Sequence, residues 1–203
     1  MTTTASAATP VRSLTALNLK RAFRDFTNVF FTVVMPVGFY LLFGALQDYS
    51  SMPDFAHGNP KAFVMVSMAL YGAVIAATAA AGGTVVESRS GWGRQLALTP
   101  TTPGHYLTAQ VLSLALRCTL PVVAVFIAGA LTGATMTASA WAACFFLCIA
   151  VSLPFGVYGM AFGELFRSDS AITIASTLIV VFAFAANMFM PLSAGMLDFG
   201  RFT

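Results

Sequence analysis

Five apolar stretches constrain this chain more than anything else in it: Val29–Leu46, Ala62–Gly82, Tyr106–Leu131, Ala140–Gly163 and Ala171–Leu192. A hydrocarbon core about 30 Å thick takes about 20 helical residues to cross. Strands of a membrane barrel need only about 10 residues and alternate strictly, which these runs do not. The expected fold is therefore an all-α membrane protein, a polytopic bundle with five transmembrane helices. Composition agrees, because 58% of the 203 residues are hydrophobic and only 8% are charged. Soluble domains carry about 25% charged residues. So few charges cannot cover a water-facing surface, and most of the exterior must face lipid.

The ten basic residues orient the bundle. Arg12, Lys20, Arg21, Arg24, Arg89, Arg94 and Arg167 fall on one side, Lys61 and Arg201 on the other, and Arg117 lies inside a run. Basic residues concentrate on the cytoplasmic side. The expectation is a multi-pass protein of the plasma (inner) membrane with its amino terminus in the cytoplasm. The net charge of +3 forms no stripe, so no nucleic-acid partner is expected. Residues 1–10 are small and polar and read as a disordered tail. No small-x-small site closes the first apolar run, so that run is expected to remain in the mature protein.

Residues 11–28 read as an amphipathic helix lying in the inner interface. Its best face is Leu19, Ala22, Phe23, Phe26 and Phe30, with Lys20, Arg21 and Arg24 largely opposite. Cations on such a helix sit among anionic headgroups. A plain positive flank that only sets topology is the alternative. Residues 29–203 form the transmembrane domain.

The loop Gly83–His105 is polar and charged from Glu87 to Gln95, then apolar at Leu96–Leu98, and Pro100 and Pro103 break any helix there. A compact element on the cytoplasmic face suits docking to a partner, although periodicity alone also allows a surface loop. Its residues are Glu87, Ser88, Arg89, Ser90 and Gly91, four more, Leu96, two more, then Thr99 and Pro100. This run resembles the Glu-Arg-Glu-x-Gly-x-x-x-x-Leu-x-x-Thr-Pro hallmark of ABC-2 exporter permeases, with Ser88 and Arg89 departing from it. Arg24-Asp25, Pro36 and Leu42-Phe43-Gly44 resemble the family's first span and its entry, with Phe26 where a proline is usual. Met190-Pro191-Leu192-Ser193 resembles its Phe-Pro-x-Ser close of span five.

The resemblance implies a permease dimer whose partner ATPase subunit docks on the cytoplasmic face. The coupling residues would be Glu87, Arg89, Gly91, Arg94 and Pro100, beside the interfacial helix. It also implies a hydrophobic or amphipathic substrate, whether drug, lipid or glycan. The sequence holds no GxxxxGK[ST] phosphate cradle, so no cofactor is expected in this chain, and ATP and Mg would be bound by the partner. No catalytic or metal-ligating constellation is read. Family members have six spans, so a sixth helix is expected beyond Thr203.

Other residues have plainer readings. Cys118, Cys144 and Cys148 read as small buried hydrophobes. Arg117 is expected to snorkel to the inner headgroups or to pair with Glu164. Gly129/Gly133 and Gly159/Gly163 are read as close-packing pairs, and Pro36, Pro121 and Pro154 as kinks. Asn187 is read as deep in span five, as a helix–helix hydrogen bond or a pathway contact. A carrier driven by an ion gradient would place acids or histidines within its spans, and all seven acidic residues lie at or beyond the span ends. That carrier and a purely structural membrane subunit stay as alternatives.

Overall fold

The computed structural model describes residues 15–16, 18–20, 24, 26–50, 58–87, 103–166 and 169–189. Five apolar helices follow one another: α1 (Phe26–Ala45), α2 (Pro60–Glu87), α3 (Pro103–Leu131), α4 (Ala138–Phe166) and α5 (Asp169–Ala185). The described residues contain no strand, and the isolated bridge between Gly58 and Met136 links the loops that precede α2 and α4. The polytopic helical bundle expected from the apolar runs is what the chain forms.

Helix ends differ from the apolar runs because capping groups, not hydropathy, set them. Asn59 caps α2, its side-chain oxygen accepting from the Ala62 N–H at 3.0 Å, and Pro60 opens the first turn where its missing N–H is not needed. Helix α3 is described from Pro103. Helix α2 runs on through Gly83 to Glu87 and so takes in the first residues of the expected loop; residues 88–102 lie outside the described residues.

Helix α5 is shorter than its apolar run. Asn187 has a left-handed φ of 55°. Its N–H donates to the Phe184 carbonyl, and the Met188 N–H donates to Ala183, both at 3.0 Å. This is a complete Schellman closure. The 17 residues of α5 span about 26 Å at 1.5 Å each, so the other four helices are the long ones.

Helix α2 is the inner helix. Within its apolar window 72% of residues are buried, against 17–33% for α1, α3 and α4, and it packs on all four neighbours. Helix α4 meets it along one stripe: Cys148, Ser152, Gly156, Gly159 and Gly163. A Cβ on Gly159 would land on the Thr78 carbonyl, and one on Gly163 would lie 3.0 Å from the Gly82 carbonyl oxygen. The second of the two glycine pairs is thus a packing seam. In the first pair only Gly129 packs, against Met65. Gly133 instead holds φ 90°, ending α3 as the Ala134 N–H closes on Gly129 at 2.9 Å.

Pro36 lies in α1 between two π-helical turns, Phe30–Val34 and Leu41–Ala45. It and Pro121 both press on Gly72, where a Cβ would lie 2.8 Å from each ring. Beyond this point the helix ends are stapled. Tyr40 shares a 2.6 Å hydrogen bond with Thr132. The Asn59 amide donates to Gly133 at 2.9 Å and its oxygen accepts from the Thr135 N–H at 3.1 Å. Phe189 closes the bundle at the same end, with ring centroids 5.3 Å from Phe39, 5.8 Å from Phe43 and 4.1 Å from Phe184.

Candidate coupling and pathway residues

The coupling residues read from the motif meet the structure only at its edge. Glu87 is the last residue of α2, its side chain outside the described residues, and Arg89, Gly91, Arg94 and Pro100 all lie outside them, as does Arg21. Lys20 and Arg24 are helical and exposed, and Asn18 and Leu19 between Thr15 and Lys20 are half-buried. Among the described residues of segment 15–20, Ala16 and Lys20 are exposed and Thr15 is buried.

The segment rests on α3 through a polar cluster. The Arg117 guanidinium donates from Nη2 to the Asn18 carbonyl oxygen at 2.7 Å. The Asn18 amide donates to Gln110 Oε1 at 3.2 Å and reaches Ser113 Oγ at 3.5 Å. The Gln110 amide in turn donates to the Tyr106 hydroxyl at 2.8 Å and reaches Thr84 Oγ1 of α2 at 3.4 Å. A charged arginine at the centre of a membrane costs about 2.5–3.5 kcal/mol on insertion scales. A hydrogen bond from a charged group returns about 1.5–3 kcal/mol, comparable with that cost. Arg117 thus meets a backbone carbonyl of the amino-terminal segment. Glu164 is exposed in the last turn of α4.

The reading of the sequence missed Gln110, Ser113 and Asn18. Tyr106, Gln110, Ser113 and Arg117 are spaced i, i+4, i+7 and i+11, one helical face, so a polar stripe within an apolar run was the available signal. No spacing could pair Arg117 with Asn18, 99 residues away.

Asn187 sits in the turn that ends α5, not deep in a span. Any residue at φ 55° other than glycine or asparagine is strained there by about 1–2 kcal/mol. Asn187→Gly is therefore expected to keep the thermal midpoint of the purified protein within a degree or two, and Asn187→Val to lower it by several degrees. Loss of transport in a stable Asn187→Gly protein would restore a pathway role for the side chain.

At the stapled end a groove of about 610 Å³ runs between the starts of α2 and α4, lined by Phe63, Val66, Met136, Ala140 and Cys144, with Asn59 at one edge. Among the described residues, no three His, Cys, Asp or Glu side chains gather as a metal site would need.

The family model for ABC-2 type transporters matches residues 9–196, from the amino-terminal segment through all five helices. The chain belongs to the ABC-2 type transporter family. It is similar to the Bacillus subtilis (strain 168) protein named Putative transport permease YvfS, 25% identical over 175 residues that cover 85% of this chain and 70% of that one. No solved structure matches. As an ABC-2 family member the chain is a multi-pass transmembrane permease subunit.

Proposed function

We propose that this permease exports a hydrophobic or amphipathic substrate (drug, lipid or glycan) across the plasma membrane, driven by ATP and Mg bound on a separate ATPase subunit, with a second permease copy completing the path. The observation that carries this reading is the family match over 9–196, which includes the motif Glu87–Pro100 between α2 and α3. In the family that loop and the amino-terminal helix face the ATPase. The coupling contacts here would be Glu87, Arg89, Gly91, Arg94 and Pro100, with Lys20, Arg21 and Arg24 holding the interfacial helix on anionic headgroups. An ATPase that co-purifies with the tagged permease and turns over Mg-ATP supports the proposal. Transport in membrane vesicles that persists without ATP and collapses with an uncoupler would favour the ion-gradient carrier instead.

The same reading puts the amino terminus and the 88–102 loop in the cytoplasm. In a cysteine-free background, Ser50→Cys is expected to react with an impermeant maleimide on intact cells, and Ser90→Cys only after permeabilisation. The reverse pattern would invert the protein in the membrane.

A further inference from the structure

The polar face of α3 does more than lodge an arginine in lipid. Arg117 and Gln110 grip the same residue, Asn18, from two levels about two helical turns apart: Arg117 takes its backbone carbonyl at 2.7 Å and Gln110 its side-chain amide at 3.2 Å. The Ser113 hydroxyl, between them, gives its proton to the Ala109 carbonyl at 2.7 Å, leaving its oxygen free to accept from Asn18. A charge-assisted bond in a low dielectric is the strong member of this set. The contacts from Asn18 to Ser113 and from Gln110 to Thr84 are the long ones, at 3.5 and 3.4 Å; the Thr84 hydroxyl also donates to the Ala80 carbonyl at 3.0 Å.

Gln110 is also where three elements meet. Its carboxamide touches the amino-terminal segment through Asn18, the start of α3 through Tyr106, and α2 through Thr84, one turn before Glu87. At the other end of the bundle the loops are stapled by Asn59 and by Tyr40 with Thr132. At the opposite ends Arg117 and Gln110 supply bonds of this kind.

We propose that Arg117 and Gln110 are positioning residues that lock the amino-terminal segment around Asn18 onto α3, so that the two move as one unit. The consequence for coupling rests on the function proposed above, because only an ATPase on the cytoplasmic face would pull on that unit. The lock itself does not depend on it.

Hydrogen exchange on the full-length protein in lipid nanodiscs tests the lock. Losing one charge-assisted bond implies at least about a tenfold change in local opening. Arg117→Gln is therefore expected to speed exchange in peptides covering 15–20 by at least about tenfold, with α4 peptides unchanged. Arg117→Lys, which keeps a cationic donor, is expected to recover most of the protection, and Gln110→Leu to lose part of it. Unchanged exchange at 15–20 in Arg117→Gln would overturn the lock. So would equal loosening of α4, which means a general folding defect, and so would an Arg117→Lys protein no better than Arg117→Gln. If an ATPase co-purifies, its turnover with the Arg117→Gln permease should fall while its amount stays the same. If none co-purifies with the wild type, the proposed function fails and the exchange result is unaffected.

Discussion

Replacing Gly159 by alanine is expected to lower stability by about 3 kcal/mol, at the upper end of what overpacking usually costs. Helix α4 reaches α2 at this point without a side chain between them. A Cβ would sit on the Thr78 carbonyl oxygen, 2.8 Å from its Cα and 2.9 Å from its carbonyl carbon. These are backbone atoms of the innermost helix, and α3 and α1 press on its other faces, so it cannot retreat. Gly156 is the internal control, because the nearest atom to its Cβ is the tip of Leu114 at 3.0 Å, which can swing away. Gly156→Ala should therefore cost about 1 kcal/mol or less. Thermal unfolding of the two variants in detergent, followed by size-exclusion chromatography, measures the difference. Equal midpoints for Gly159→Ala and Gly156→Ala would show that the helices can separate at Thr78, against the packing described here.

The bundle was legible in the sequence because lipid enforces helices of fixed minimum length, and an apolar run of that length has few other fates. The seam between α2 and α4 was half legible. Gly159 and Gly163 announced a close approach, and they make one. Gly129 and Gly133 show the same spacing, yet Gly133 spends its freedom on a left-handed turn. Spacing cannot separate those uses, since both need only the absence of a Cβ. Span boundaries were the least legible part. Asn59 and the turn at Asn187 override hydropathy at the ends of α2 and α5 by satisfying backbone groups locally. The polar stripe on α3 was present in the sequence, but its partner came from the far end of the chain. The motif at Glu87–Pro100 was legible only as a resemblance, since a short polar loop carries no periodicity of its own.

That loop bears the second large effect. Glu87 is the last residue of α2, and the last turn holds no basic residue. A carboxylate at a helix carboxyl end faces the negative pole of the helix, which disfavours it by about 0.3–1 kcal/mol. Glu87→Lys reverses that sign, so the substitution should leave the thermal midpoint of the permease unchanged or slightly raised. If Glu87 and Arg94 face complementary charges on the ATPase, reversing both sets like charges against each other. Such juxtapositions cost several kcal/mol, and a loss of about 3 kcal/mol weakens association more than about a hundredfold. The Glu87→Lys/Arg94→Glu protein is accordingly expected to insert and fold normally while it retains little ATPase on an affinity column and shows little transport-coupled ATP turnover. The opposed signs make the result specific: stability holds or rises as coupling is lost, which no general folding defect produces. A double variant that binds its ATPase and transports at the wild-type rate would remove Glu87 and Arg94 from the interface and leave the coupling contact to be sought elsewhere, first at Lys20 and Arg24.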